Sequence, residues 1–552
     1  MMRIKTGDTL KSKTATKQIV EYHEKTKHRL SKYAEGPEFL DWDLQPDPYR
    51  FFAGTKKISL ALDLSAIQAG YHSLYANKRQ QEKVFDVNKE TLAILLGLSM
   101  GLSARKEYMG DSWSVRCNPS SGNLHPTEAY LITSQIPNLD DGIYHYLSAD
   151  HSLQQRMIAL KASLSSDSPM ALLALTTTNW REAWKYGERS FRYCQLDVGH
   201  ALAAITYAAA CLGWQVEVQN HWSGKDIAAL CGIDRHEDFI NVESENSDLL
   251  LEIRLPQQNK TNVSADEILI WINDGHWQGK ANRLDKHPLY NWPAIDQVEK
   301  ASLLSATNQK IQFQQSLPNL TLLNSRLLAK HAIYKRRSAQ RFDKQSTMNC
   351  MDFYRVLDKC LYRRDTLPWN TGADIFPMYY IFYLHRVNSL TPGIYLLANG
   401  FDGIDSIKKP FGKEFNWDKP DNCPIHLPFY QLSASNAEKF SRQVSCHQAI
   451  ASDGVFSLSM LFQFEQIITH HTMNYRKLHW QAGLTGQLLY LEAESLGFQG
   501  TGIGCFFDDV IHEMLGIDNR EYQVLYNFTV GAALNDSRIS TLPAYTHLTI
   551  NL

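Results

Sequence analysis

A chain of 552 residues exceeds what one hydrophobic core usually organises, so two large domains are the starting expectation. Hydrophobic residues at 44% and aromatics at 11% suit well-packed globular domains, and a net charge of −2 argues against a nucleic-acid or polybasic membrane partner. The first residues lack the apolar stretch of a secretory signal, the run from Ala201 to Trp214 is too short for a bilayer, and nine cysteines without a CxxC pair read as reduced thiols of a cytoplasmic protein.

In chain order, a basic segment from Tyr22 to Arg29 (YHEKTKHR) precedes a helical stretch, TLAILLGLSMGLS. Next comes Arg116-Cys117-Asn118-Pro119-Ser120-Ser121-Gly122-Asn123, a turn of small donors and an amide that can approach a planar ring, opening into the β-prone AYLIT. Lys185-Tyr186 lies inside AWKYGER, and a long helix follows with Gly213 as its stop. Beyond the polar, turn-rich QGKANRLDKHPLYNWPAID stands a second basic segment, YKRRSAQR, from Tyr334 to Arg341. A second long helix ends at Leu496-Gly497, and Gly500-Thr501-Gly502-Ile503-Gly504-Cys505 follows it.

These elements repeat. At an offset of 312, Tyr22 pairs with Tyr334, Thr26 with Ser338 and Arg29 with Arg341. At 251, Pro126 pairs with Pro377 and Gly142-Ile143-Tyr144 with Gly393-Ile394-Tyr395. At 284, Arg192 pairs with Arg476, Gly199 with Gly483, Gly213 with Gly497 and Gly232-Ile233-Asp234 with Gly516-Ile517-Asp518. Residues 1–285 and 286–552 are therefore expected to be two copies of one α+β unit, packed as a two-fold dimer fused into one chain.

The copies have decayed in complementary ways. Half two keeps Arg336, Arg337, Ser338 and Arg341, where half one has Glu24, Lys25, Thr26 and Arg29. It also keeps Gly500, Gly502 and Gly504, against Val216, Val218 and Asn220. Half one keeps Pro119-Ser120-Ser121-Gly122-Asn123, against Asn370-Thr371-Gly372-Ala373-Asp374. Forked guanidiniums suit a terminal phosphate, and close glycines let backbone N–H groups approach an anion or ring. Asp374 in place of Asn123 exchanges a donor-acceptor amide for an acceptor-only anion. Taken crosswise, the intact pieces make one good site and the decayed pieces one bad one.

The loop in its longer form, RCNPSSGNLHPTEAY, resembles that of the SagB-type dehydrogenases of the nitroreductase superfamily, which include FMN-dependent azoline oxidases of thiazole and oxazole peptide pathways. The opening YHEKTKH, followed by Asp41-Trp42 and Gln45-Pro46-Asp47-Pro48-Tyr49-Arg50, resembles the front end of the same proteins, so the resemblance spans nearly the whole chain. It implies an α+β pseudo-dimer of nitroreductase-like halves with one FMN between them. Arg336, Arg337, Ser338, Arg341, Gly500, Gly502 and Gly504 are implied near the phosphate, and Arg116, Pro119, Ser120, Ser121, Gly122 and Asn123 near the ring. Lys185-Tyr186 matches the Lys-Tyr pair of the azoline oxidases, and half two has Thr469-His470 in that register.

The resemblance implies a peptide or small heterocyclic substrate, with any synthetase-complex subunits on separate chains. Removing a proton from one azoline ring carbon and a hydride from its neighbour needs a base, and a desolvated lysine serves. Two other functions stand beside this one: an NAD(P)H-dependent nitro or quinone reductase, and a flavin-less subunit of a heterocycle synthetase. His470, His471 and His479 lack partnering cysteines or an HExxH spacing, so no metal is expected.

Overall fold

The computed structural model describes residues 6–549 except 77–82, 161–163, 165–168, 256–262, 314, 324 and 402. In the first half, Lys56–Ser59 (β1), Thr127–Ser134 (β2), Gly142–Leu147 (β3), Ser152–Ile158 (β4), Met170–Thr177 (β5), Gln215–Val218 (β6), Asn246–Arg254 (β7) and His276–Trp277 (β8) form one sheet. Its order is β8-β4-β3-β2-β5-β7-β6, with β1 also paired to β4. In the second half, Met378–Leu384 (β9), Gly393–Asn399 (β10), Phe429–Ser433 (β11), Phe456–Gln463 (β12), Gln499–Ile503 (β13) and Tyr522–Gly531 (β14) run in the order β11-β10-β9-β12-β14-β13. Apart from the additions at the β4 edge, the orders are the same, and every pairing is antiparallel.

The central strands read as nearly continuous apolar runs because both of their faces are covered. In β2, Leu131 joins one core while Tyr130 and Ile132 join another. In β9, Tyr380 and Phe382 face one core while Tyr379, Ile381 and Tyr383 face another. The sequence pairs fall on equivalent places. Pro126 and Pro377 each stand just before a central strand, and Gly213 and Gly497 each follow a long helix with φ near +74° and +78°.

Those two helices, Ser190–Cys211 and Asn474–Ser495, cross at the centre of the molecule. A Cβ on Gly199 would collide with the carbonyl oxygen of Trp480, and one on Gly483 with that of Leu196, so only glycine permits this backbone-to-backbone approach. The helices also exchange buried charges. Arg192 reaches Asp508 in the other half at 2.9 Å, and its register mate Arg476 reaches Asp248 at 2.9 Å and pairs with Glu299. Buried ion pairs of this kind penalise any arrangement that leaves one partner unmatched.

Core packing is exchanged as well. Ile19 and Tyr22 of the first half pack into the core around β9, while Ala329, Ile333 and Trp369 of the second join the core beneath β2. After β14 the chain returns to the first half, where Ser540–Leu542 pairs with the hairpin Leu102–Tyr108/Asp111–Arg116. That hairpin ends at Arg116, the residue that opens the loop. No helix among the described residues is long and apolar enough to cross a membrane.

Candidate active site

A cavity of about 300 Å³ lies where the halves meet. The first half supplies Arg116, Pro119, Ser120, Ser121, Gly122 and Asn123; the second supplies Arg336, Arg337, Ser338, Gly502 and Gly504. Residues far apart in sequence are thus brought to one wall in the crosswise combination.

Local structure explains how each is held. Gly122 and Asn123 lie in the left-handed region (φ +59° and +60°) as the loop turns toward β2. Asn123 Nδ2 donates to Ser114 O at 2.9 Å, and its Oδ1 lies 2.9 Å from His125 Nε2. Ser120 Oγ accepts from His125 N–H at 2.8 Å, and Ser121 N–H donates to the Asp197 carboxylate at 3.2 Å. On the facing side, Arg336 Nε donates to Cys117 O at 3.0 Å and its Nη2 to Arg116 O at 3.1 Å, so this guanidinium binds the two halves together. Arg337 reaches Ser103 O at 3.1 Å, and Ser338 Oγ shares a hydrogen bond with Tyr490 OH at 2.8 Å.

The glycines of the second half make room for aromatic rings. A Cβ on Gly502 would overlap Tyr526 OH, and one on Gly504 would strike the Tyr193 ring. Gly502 N–H is already engaged with Tyr490 OH at 2.9 Å. The close approaches are thus made by aromatic side chains, Tyr526 of the wall and Tyr193 outside it.

Two predicted ligands stand apart from the cavity. Arg341 is exposed and lies outside the wall, because the chain has turned away by then and its carbonyl accepts from Leu534 N–H at 2.9 Å. Gly500 lies behind the wall, bridged to Ser338, its carbonyl accepting from Ala339 N–H. Lys185 and Tyr186 touch the loop without lining the cavity: a Cβ on Gly122 would stand 2.6 Å from Tyr186 OH and 3.2 Å from Lys185 Nζ. They close the helix Asn179–Tyr186, with Lys185 Nζ 5.0 Å from the Trp42 ring.

Comparison with known proteins places this geometry. The family model for the Nitroreductase family matches residues 430–532. A structure from Anabaena variabilis that carries a nitroreductase name superposes with a TM-score of 0.67 at 21% identity, covering 94% of this chain and 99% of that one. The chain has the nitroreductase fold. Among curated proteins, MJ1384 of Methanocaldococcus jannaschii, which bears a nitroreductase name, is 28% identical over 113 residues. The trifolitoxin-processing protein TfxB of Rhizobium leguminosarum bv. trifolii is 34% identical over 109 residues. The matches span 57% and 29% of those two proteins and 19% and 17% of this chain.

Within this nitroreductase fold the cavity is electropositive. Burial pushes Arg116, Arg336 and Arg337 below the usual arginine value, Arg337 to about 10 with Arg336 adding repulsion. Buried Arg336 Nη1 and Arg116 Nε have no protein partner. Against these cations stands Asp197, which burial raises to about 7. Glu182, behind Ser120, is raised by burial and by Asp197. Lys185 is lowered by desolvation, against the opposing pull of Glu182.

The sequence reading missed several wall residues: Lys106, Asp197, His200, Tyr490 and Tyr526. Asp197 and His200 carried a signal, being polar positions inside the otherwise apolar helix that contains Ala201–Cys211. Tyr490 and Tyr526 carried none, since aromatic residues on a helix and a strand read as ordinary core.

Proposed function

We propose that the protein is an FMN-dependent oxidoreductase of the SagB type that oxidises an azoline ring in a modified peptide to the azole. The observation that carries this reading is the crosswise wall, where buried guanidiniums of one half face the Ser-Ser-Gly-Asn loop of the other. The residues fit a flavin mononucleotide. Unpartnered donors on Arg336 and Arg116 call for an anion such as its phosphate, and the left-handed turn at Gly122 brings the loop closer to Tyr186 OH and Lys185 Nζ than any Cβ would allow. Arg336, Arg337 and Ser338 would hold the phosphate end, with Ser120, Ser121 and Asn123 beside the ring. Bound FMN supplies the acceptor for a hydride.

The chain's own residues supply the rest. Lys185, lowered by desolvation, takes the proton from the ring carbon at Nζ, and Tyr186 OH, beside it at Gly122, orients the heterocycle. The azoline loses one proton and one hydride, two hydrogens in all, and a ring double bond forms. A relative named for trifolitoxin processing is in keeping with a peptide substrate and with partner subunits on separate chains. A nitro or quinone reductase is the second reading, favoured by the family match to residues 430–532. Incubating the FMN-loaded protein with a thiazoline peptide decides between them. Loss of two hydrogens from the peptide by mass spectrometry supports azoline oxidation. NAD(P)H-driven reduction of a nitroaromatic with no change in the peptide supports the reductase.

A further inference from the structure

Behind the cavity wall, next in sequence to Gly504, lies a cluster that the proposed chemistry does not use. Cys505 and Cys446 are both half-buried free cysteines. The strands of chain that carry them are tied together: Phe507 N–H donates to Val444 O at 2.8 Å, and Gln448 Nε2 donates to Cys505 O at 3.2 Å. The His447 ring stacks edge-on against Phe507 at 5.4 Å. Cys446 (φ +51°) and His447 (φ +60°) are successive non-glycine residues in the left-handed region, a costly bend that presents Cys446 to its partner. The two thiols lie close enough to influence each other's ionisation, and the buried His28 lies beside Cys505, its backbone bridged to Phe507 and its carbonyl accepting from Asp508 N–H at 3.2 Å. His28 Nδ1 accepts from Ala34 N–H at 2.9 Å, which leaves the ring proton on Nε2.

We propose that Cys505 and Cys446 are an oxidisable dithiol, with Cys505 as the thiolate that attacks a hydroperoxide and Cys446 as the thiol that resolves it. The groups around Cys505 favour its anion. Cys446 and His28 flank it, and the Arg189 guanidinium lies close, donating to Gly504 O at 3.2 Å. Against these stands burial; Asp508 acts on the neighbouring Cys446, raising it, while Tyr33, Tyr186 and Tyr193 border the cluster as neutral phenols. Cys446 and His28 bring the Cys505 thiol down to about 5, and the proton stays on Cys446.

The chemistry balances. The Cys505 thiolate attacks one peroxide oxygen, giving a sulfenic acid and hydroxide. Cys446 sulfur then attacks the sulfenic sulfur, and water leaves as the S–S bond closes. Two thiols lose two electrons and two protons, and hydrogen peroxide is reduced to two waters. The bond would cross-link residues 446 and 505 directly behind Gly504. The inference goes beyond the proposed oxidoreductase activity and does not depend on it.

Alkylation by iodoacetamide, followed per cysteine by peptide mass spectrometry on the full chain, is the first test. An anionic thiol of depressed pKa is less nucleophilic but fully ionised. Cys505 should therefore be alkylated at a nearly constant rate from pH 6 to 8, where an ordinary thiol gains about tenfold per pH unit. A tenfold rise per unit at Cys505 overturns the proposal. In the second test, hydrogen peroxide should yield a peptide pair joined through Cys446 and Cys505 and reversed by dithiothreitol. Cys446→Ser should instead accumulate a sulfenic acid trapped by dimedone. Peroxide that leaves both thiols free, or that over-oxidises wild-type Cys505 without the cross-link, also overturns it. His28→Gln should restore the pH dependence at Cys505; if that variant does not fold, the wild-type profile still decides.

Discussion

The open cavity and its register mate in the other half are built from equivalent positions and differ more than tenfold in volume. The first, bounded by Asn123, Gly502 and Gly504, holds about 300 Å³. The second, bounded by Asp374, Val218 and Asn220, holds about 20 Å³. In the mate, Asp374 is tied to Lys477 at 2.6 Å, where the open side has Asn123 and Tyr193. Val218 occupies the place of Gly502, and the Trp480 ring fills space where Leu196 stands opposite. Glu24, the sequence counterpart of Arg336, does not line this pocket at all; it pairs instead with Lys27 and Arg29. The lesson is that a duplicated site is lost as much by filling it as by removing its ligands. The filled side keeps a packed, charge-balanced core, and the open side keeps uncompensated cations.

Six substitutions sharpen that contrast. The largest effect should come from Arg336→Ala with Arg337→Ala, which removes charge-assisted bonds worth about 1.5–3 kcal/mol each. Visible flavin absorbance after gel filtration should vanish, whereas Glu24→Ala at the mate position should leave it unchanged. Lys185→Ala should keep flavin and lose roughly 10²–10⁴-fold in azoline turnover, measured by rapid-quench mass analysis. The limb of the wild-type rate that rises with pH, set below the usual lysine range by desolvation, should flatten in that variant.

Asp197 comes next, because its burial costs stability once it ionises. Its folded value of about 7 is raised above the unfolded one, so flavin-free protein loses stability as pH rises from about 4 to 7. The loss is on the order of a few kcal/mol, and Asp197→Asn should remove it in urea melts compared at pH 5 and 8. Gly199→Ala pushes a methyl into Trp480 O at the helix crossing between the two pockets. It should lower the unfolding free energy by about 1–3 kcal/mol in the same melts.

Much of this was legible in the sequence. The repeat could be read because its markers are backbone requirements: glycines at left-handed helix ends, prolines before central strands, and Gly199 and Gly483 where two helices touch. The crosswise site could be read because loss in one half was matched by retention in the other. Arg341 lies outside the wall, and motif spacing does not record where the chain leaves it. Asp197, Tyr490 and Tyr526 were missed because a single residue on a helix or strand acquires its role only through packing. The hairpin ending at Arg116 depends on Ser540–Leu542, a strand from the far end of the chain, and no local pattern foretells such a pairing.

The central claim is that one pocket of the pair binds flavin and the other does not. Titrating flavin-free protein with FMN, followed by calorimetry and by quenching of flavin fluorescence, tests it most directly. The account predicts saturation at one FMN per chain, abolished by Arg336→Ala with Arg337→Ala and untouched by Asp374→Asn. Saturation at two per chain, or no binding at all, would contradict it.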